Sequence, residues 1–289
     1  EAEGPLLVGG VNLVQHRVDF VIQDALVHVL LVLQRGAQFE PLSFLGQYFG
    51  AVEVDVTAHV LPREEHIVRW AAALQDRPRT RLLVRVPSVA LDLARTAPER
   101  AADAEQFRSS LAPLVRRERL GGLVATLPDG TLFGPSEARA LGDLARILSP
   151  APLILAAGHR SWYERRALDV LAGAGWSLAH LDEDERWDAP PRRHRATGPV
   201  GMLRLRGPGP YDPSRIGGAA RRAREIAGDV DDLYVIADNA SHPGAVPASA
   251  LAAALEVKFV LAGERPVPGW RRIIEVFPHL EPLLELGDG

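Results

Sequence analysis

The sequence predicts an α/β fold, a single-domain TIM-type (β/α)₈ barrel, from the number, composition and spacing of its apolar runs. Eight short apolar runs end on polar or turn-forming clusters, and most are separated by stretches with helical periodicity. Several runs are nearly continuous Leu, Val, Ile and Ala, as in parallel strands that are buried on both faces. The runs cover residues 5–9, 52–56, 81–86, 122–127, 152–156, 177–181, 200–205 and 232–237. A barrel of typically about 250 residues would take up nearly all of this 289-residue chain.

The predicted helices lie between these strands. Apolar positions recur three and four residues apart in segments 40–49, 63–75, 99–119, 135–148, 163–172, 213–227 and 247–255. Proline in the first turn indicates helix starts at Pro135 and Pro213, and glycine indicates helix ends at Gly173 and Gly228. The segment 182–199 is rich in proline and arginine and has no periodicity, which predicts a long loop over the C-terminal ends of the strands.

The chain divides into three predicted parts. Residues 1–39 supply the first strand and an apolar segment, residues 40–256 the main barrel, and residues 257–289 a closing segment with a helix or an edge over 267–286. The apolar segment from Val18 to Leu33 carries four interrupting polar residues and falls short of the roughly 20 apolar residues that a membrane span requires. We expect it to be a helix that packs on the barrel or on a second subunit, so it is the candidate surface for self-association or a protein partner.

The composition excludes several classes of site and partner. Cysteine is absent, which excludes disulfides, thiolate metal sites and cysteine nucleophiles. It also leaves the redox compartment open, and the cytoplasm is the default expectation. A net charge of −4 gives no general attraction to nucleic acids or anionic membranes. No dinucleotide or phosphate-binding loop motif, nucleophile elbow or zinc signature is present, so no cofactor is indicated.

Two carboxylates form the first candidate site. Glu53 and Asp55 lie two residues apart on the second predicted strand, so both side chains point to the same side. In the barrel interior they could act as acid and base or hold a cation. Alternatively they face solvent, or Glu53 forms an ion pair with Arg85 on the next strand, because a buried charge needs a partner.

His159 ends the fifth predicted strand. It is a candidate general acid or base or metal ligand, or else a structural histidine held by a hydrogen bond. Together with Glu53, Asp182 and His242 it would make a set of ligands for a divalent cation, although no ligand spacing in the sequence indicates a metal site.

Arginines form the second candidate site. Arg204 and Arg206 alternate on strand seven and share a face, and Arg85 could join them, with Arg192, Arg193 and Arg195 on the loop above. Guanidinium groups bind phosphate and carboxylate bidentately, and TIM-type barrels often bind phosphate near strands seven and eight. The alternative is a set of internal salt bridges to Glu53, Asp182 or Asp238. Trp162 is either an aromatic platform for a sugar or base, or a core residue.

Motifs at several strand ends occur in an order that resembles the YecE-like family, the bacterial proteins grouped as domain of unknown function 72. Residues 52–57, with Pro62 and Trp70, resemble the family's Val-Glu-x-Asn-x-Thr-Phe-Tyr…Pro…Trp signature. The segments 127–128, 159–162, 202–207 with Tyr211, and 237–239 with 244–246 resemble further family motifs. The matches cover roughly residues 40–256, and the resemblance implies a TIM-type barrel without a firmly assigned reaction.

The chain departs from the family pattern at polar positions that would face the barrel mouth. Eight polar residues of the family pattern differ here. In chain order the pattern has Asn, Tyr, Lys, Gln, Glu, Arg, His and Asn, and this chain has Asp55, His59, Arg85, Thr126, Ala156, Gly158, Arg206 and Asp238 at the corresponding positions. The resemblance therefore implies a site at the C-terminal rim, the edge at which the strands end, and one that is partly degenerate.

Two functional hypotheses follow. The first is a ligand- or partner-binding protein whose degenerate site takes a phosphate- or carboxylate-bearing ligand; its candidate ligand-binding residues are Arg85, Trp162, Arg204, Arg206, Tyr211 and Asn239. The second is a hydrolase or isomerase for a phosphorylated or sugar-like substrate, with or without a metal ion; its candidate catalytic residues are Glu53, Asp55, His159 and Asp182. The lost polar groups favour the first hypothesis, and the prevalence of enzymes among barrels favours the second. Both require Glu53, Arg85, His159, Arg204 and Asn239 near one rim.

Overall fold

Parallel β-strands alternate with α-helices in the computed structural model. The structure describes Leu42, Ser43, Gly46 and residues 50–78, 80–182, 187–206 and 213–237. The strands are β1 (Ala51–Val54), β2 (Arg81–Arg85), β3 (Leu120–Thr126), β4 (Leu153–Ala156), β5 (Trp176–Leu178), β6 (His180–Asp182), β7 (Val200–Leu205) and β8 (Asp232–Ala237). The helices are α1 (Glu64–Ala73), α2 (Ser88–Leu91), α3 (Ala97–Ser110), α4 (Ala112–Arg116), α5 (Pro135–Leu148), α6 (Arg165–Gly173) and α7 (Pro213–Ala227), with 3₁₀ turns at Val56–Ala58 and Arg160–Tyr163.

Seven of the eight predicted strands fall within the described residues, and strand structure is found at each of the seven. The predicted strand 5–9, the segment 18–33 and the predicted elements 247–255 and 267–286 lie outside them. No helix in the described part of the chain has the length and apolar character needed to cross a membrane.

The strands form two parallel sheets that meet in one extended segment. The first sheet has the order β1-β2-β3-β4-β5 and the second the order β6-β7-β8. The predicted single strand 177–181 is divided between them, because β5 pairs with β4, β6 pairs with β7, and Ala179 alone separates β5 from β6. The Ala179 N–H donates to the Leu155 carbonyl at 2.8 Å, so the first sheet continues up to β6. The predicted closed barrel is not established, since the described strands do not form a closed ring.

Alternate residues of the strands face two different apolar cores, as the pleat requires. On β2 and β4, Leu82 and Leu155 pack outward with the helices, whereas Leu83 and Ile154 face inward. The inner core combines side chains from both sheets: Leu83, Val124, Ile154, Ala156, Ala179, Leu181, Val200, Met202 and Ile236. The two sheets therefore turn the same faces toward a shared interior, which places every second residue of each strand there.

Two predicted helix boundaries differ from the structure for local reasons. The predicted helix 99–119 is two helices, because Pro113 has no N–H to donate and α4 restarts with proline in its first turn. A capping box between Thr96 and Glu99 starts α3 two residues before the predicted start. The α6 helix ends at Gly173, as predicted, and a left-handed conformation follows at Gly175, with φ of 78°.

The described part of the predicted loop, 187–199, has neither helix nor strand and is fixed against the strand segment 176–182. The Thr197 hydroxyl donates to the Trp176 carbonyl and accepts from the Leu178 N–H, both at 2.8 Å. The imidazole of His194 stacks on that of His180 with a centroid distance of 3.8 Å and an interplanar angle of 12°. These contacts hold the loop in one position relative to the sheets.

The stacked histidines are both held uncharged by their surroundings. Burial, with a smaller contribution from the charge of His194, lowers the pKa of His180 to about 3. Burial also lowers the pKa of His194, against the raising effect of carbonyl oxygens near its ring nitrogens. Protonation of this pair in the folded protein is therefore opposed down to strongly acidic pH.

We expect the pair to make the free energy of unfolding fall as the pH drops from about 6.5 toward 3. A histidine of the unfolded chain takes up a proton below about 6.5, whereas buried His180 does not, so acid favours the unfolded state. Between pH 7 and pH 5.5, His180 alone should lower the free energy of unfolding by about 1 kcal/mol. Urea unfolding at the two pH values measures this difference. His180→Asn should flatten this pH dependence and His59→Asn, at an exposed position, should not. An unchanged pH dependence in His180→Asn would contradict the assignment.

Candidate functional site

A buried ion pair lies between the two sheets. Glu53 on β1 and Arg204 on β7 both project from the inner faces, and their side chains are 0% and 4% exposed. One guanidinium nitrogen of Arg204, Nη2, donates to both carboxylate oxygens of Glu53, at 2.6 and 2.7 Å. Because burying a lone charge costs several kcal/mol, each residue requires the other in this position.

Arg85 and Asp55 extend this pair into a charged cluster. Arg85 Nε lies 3.9 Å from Glu53 Oε1, and Arg85 Nη1 forms an ion pair with Asp55 Oδ1. The Thr57 hydroxyl donates to the Arg85 carbonyl at 2.6 Å, which fixes the end of β2 beside β1. The sequence left open whether Glu53, Arg85 and Arg204 face a ligand or form internal salt bridges. In the structure all three form internal salt bridges.

A small pocket with a volume of about 70 Å³ opens beside the charged cluster. Its lining residues come from the C-terminal ends of β2, β3, β4, β6 and β7 and from the residues that follow them: Arg85, Thr126, Leu127, Asp129, Ala156, Gly158, Leu181, Arg204 and Arg206. This volume is well below the roughly 300–1,000 Å³ of sites for drug-sized ligands, so the pocket suits a group of few atoms. Ala156 and Gly158, at which the family resemblance implies Glu and Arg in other members, leave their part of the lining open.

Thr126 contributes a buried hydroxyl to this lining. Its Oγ1 is inaccessible to solvent and has no hydrogen-bond partner among the residues that the structure describes. A buried hydroxyl without a partner costs about 1–3 kcal/mol, so it is stabilised when a ligand supplies the missing hydrogen bond. The sequence had indicated Thr126 only as a departure from the family's Gln.

His159 and Asp182 do not join the charged cluster. His159 Nδ1 lies 2.9 Å from the Ser161 hydroxyl, within the loop after β4. Of the alternatives for His159, this contact is the one of a structural histidine held by a hydrogen bond. Asp182 accepts from Arg222 of α7 at 2.8 Å, because it alternates with the inward-facing Leu181 and so points toward the helices. No group of three or more His, Cys, Asp or Glu side chains suited to a metal ion occurs in the described part of the chain.

The remaining candidates are placed elsewhere. Trp162 is completely buried, its indole N–H donates to the Thr131 carbonyl at 2.8 Å, and its ring packs against Phe133. Of the two alternatives for Trp162, its burial and these contacts give the core residue, and the prediction of a ligand platform is corrected because the ring is packed away from solvent. Arg193 and Arg195 of the loop form salt bridges with acidic residues of α7 and α6. Tyr211, Asn239, Asp238 and His242 lie outside the described residues.

The comparison with known families identifies the chain. The family model described as "Protein of unknown function DUF72" matches residues 33–270. The chain belongs to the DUF72 family. This family is the one that the strand-end motifs indicate, and the match covers all of the described strands and the pocket.

Solved structures of DUF72 proteins share the fold at low sequence identity. A DUF72 protein of Enterococcus faecalis has a TM-score of 0.63 and 16% identity, over 74% of this chain and 91% of that one. A DUF72 protein of Thermotoga maritima has a TM-score of 0.62 and 20% identity, over 80% of this chain and 94% of that one. None of the curated proteins matches the chain. The structural similarity establishes the α/β fold, and the low identities describe a divergent member of the family.

We expect Arg204→Ala to lower the free energy of unfolding by about 3–5 kcal/mol, because it leaves the Glu53 carboxylate buried without its main partner. Replacing both residues, in Glu53→Leu with Arg204→Met, should cost less than the single change, since no charge then remains buried. Urea unfolding of the variants measures both values.

Arg108→Ala is the matched control for this experiment. It removes an arginine from the exposed ion pair with Glu105, which should be worth less than about 1 kcal/mol. If Arg204→Ala costs no more than Arg108→Ala, the buried pair does not stabilise the fold.

Proposed function

We propose that this protein binds a small ligand bearing a phosphate or carboxylate group in the pocket beside the Glu53–Arg204 pair. The observation that carries the proposal is the charge of the lining, which has three arginines and a single carboxylate, Asp129. Glu53 and Asp55 form ion pairs with Arg204 and Arg85 behind the lining, and Arg206 adds a further guanidinium at the exposed rim.

Arg206 is the residue to which we assign the anion. It follows β7 directly, and its N–H donates to the Asp182 carbonyl at 2.9 Å, so its backbone is fixed by the second sheet. Its side chain is exposed and lines the pocket, so a ligand in the pocket would lie beside it. A guanidinium group presents parallel N–H donors that match two oxygens of a phosphate or carboxylate. The Thr126 hydroxyl would supply a second contact from β3.

The contacts of the carboxylates support ligand binding better than they support catalysis. The pocket lining includes neither Glu53 nor Asp55, whose carboxylates both form ion pairs with arginine. His159 and Asp182 point away from both of them, toward Ser161 and Arg222. The hydrolase or isomerase hypothesis therefore lacks a group of residues in the described structure that could carry it.

We further propose that the pocket lies at the C-terminal rim of a closed (β/α)₈ barrel. The described strands follow one another in sequence order through two sheets joined at Ala179, as the strands of such a barrel do. The inner core shared by both sheets supports this arrangement. The predicted strand 5–9 would be the remaining strand, between β8 and β1.

Phosphate or sulfate should raise the melting temperature of the protein in a saturable way, since a ligand that binds only the folded state stabilises it by RT ln(1 + [L]/Kd). We expect Arg206→Ala to abolish this increase. Arg206→Lys should restore little of it, because a point charge does not replace the bidentate fork. Thermal unfolding at increasing phosphate concentration measures the effect.

Two controls make this test specific. Chloride at equal ionic strength should not reproduce the increase, because general screening acts on all charges. Arg146→Ala should retain it, since Arg146 is a highly exposed arginine that pairs with Asp143 on α5. If the increase survives in Arg206→Ala, Arg206 does not bind the anion and the proposed function is wrong.

Thr126→Val provides a second, independent test of the same pocket. The change keeps the shape of the side chain and removes the hydroxyl, so the affinity for phosphate should fall about five- to tenfold, as expected for one lost hydrogen bond. The stability without ligand should not decrease, because the hydroxyl that is removed has no partner in the described structure. Titration calorimetry and urea unfolding measure the two quantities. A loss of stability with unchanged affinity would assign Thr126 a purely structural role.

A further inference from the structure

A large aromatic side chain is exposed next to the pocket wall. Trp187 is 82% exposed, although exposing an indole to water forfeits the free energy that its burial would give. It lies in the loop fixed against the strand segment 176–182. Other large apolar side chains with high exposure, Val60, Val89, Leu93 and Leu132, also lie on segments that follow strands at the C-terminal rim. Apolar side chains are therefore exposed on several of the segments that follow the strands.

The position of Trp187 is defined by contacts to the loop after β4. Its ring lies edge-on to the imidazole of His159, with centroids 6.3 Å apart. The Arg160 N–H donates to the carbonyl of Asp188 at 2.8 Å, and an Arg160 guanidinium nitrogen donates to the Trp187 carbonyl at 3.4 Å. His159 directly follows Gly158, which lines the pocket. The exposed indole thus contacts the residue that follows Gly158 of the pocket lining, and hydrogen bonds hold its backbone in place.

We infer that Trp187 stacks on a planar ring of the ligand, so that the site selects a phosphate joined to an aromatic ring, as in an aryl phosphate or a nucleoside monophosphate. This inference rests on the proposed function, because the phosphate would occupy the pocket at Arg206. The ring would then extend past Gly158 to the indole. An indole offers a flat apolar face, and stacking of a base on an aromatic side chain contributes about 1–3 kcal/mol.

The pocket and the rim suit the two ends of such a ligand. The charged end would meet Arg206, Arg85 and the Thr126 hydroxyl, and the ring would meet the exposed indole of Trp187. Ala156 has only a methyl side chain and Gly158 has none, so neither blocks the space between these two regions. A ligand with its anion at one end and its ring at the other therefore satisfies both regions at once.

The test compares phosphates that differ only in the ring, using titration calorimetry on the full chain. Phenyl phosphate should bind at least about fivefold more tightly than methyl phosphate, because only the former can stack on Trp187. Trp187→Ala should remove this difference and leave the affinity for methyl phosphate unchanged. Trp187→Phe should retain part of the difference, since a smaller ring remains. Adenosine monophosphate, compared with phenyl phosphate, distinguishes a nucleobase from a simple aryl group.

Val115→Ala is the matched control, because it truncates an exposed apolar side chain on α4, a helix remote from the strand ends. It should leave all affinities unchanged. If methyl and phenyl phosphate bind equally well to the unmodified protein, or if the difference persists in Trp187→Ala, the role of Trp187 is wrong and the proposed function stands. If none of the phosphates binds, the proposed function itself is wrong.

Discussion

The ion pair between Glu53 and Arg204 is the interaction on which the arrangement of the described structure depends. Apolar side chains can pack in many ways, but a buried carboxylate and a buried guanidinium tolerate very few positions, because each must keep its hydrogen bonds. Here the two groups come from different sheets, so their contact fixes β1 relative to β7. Arg204 also lines the pocket, so the same contact fixes one part of the pocket wall.

The pocket combines a small open space with a charged lining. Ala156 and Gly158 leave space in this lining, since one has only a methyl side chain and the other has none. The charged residues of the lining are three arginines, which bind anions readily and seldom exchange protons near neutral pH, and one carboxylate, Asp129. Such a lining is the basis of the proposal that the pocket recognises an anion.

Much of the fold could be predicted from the sequence, whereas the site could be predicted only in part. Seven strands were found because their continuous Leu, Val and Ile runs report burial on both faces. The division of the segment 176–182 was not predicted, since pairing partners depend on three-dimensional neighbours rather than on composition. Alternation along strands placed Glu53, Arg85 and Arg204 together. It could not reveal that Asp182 faces α7, because the predicted strand ended at Leu181 and left Asp182 in the loop. Nor could it reveal that Trp162 is covered while Trp187 is exposed.

The ion pair also has a consequence for the order in which the chain can fold. Glu53 and Arg204 are 151 residues apart in the sequence, so a ribosome synthesises the carboxylate long before its partner. Until β7 has emerged, a chain that had assembled its first five strands would have only Arg85, 3.9 Å away, as a counter-charge for Glu53 in an otherwise apolar interior. We therefore expect the five-stranded sheet to be less stable on its own than within the complete chain. Its final packing would then depend on the arrival of the Arg204 guanidinium group.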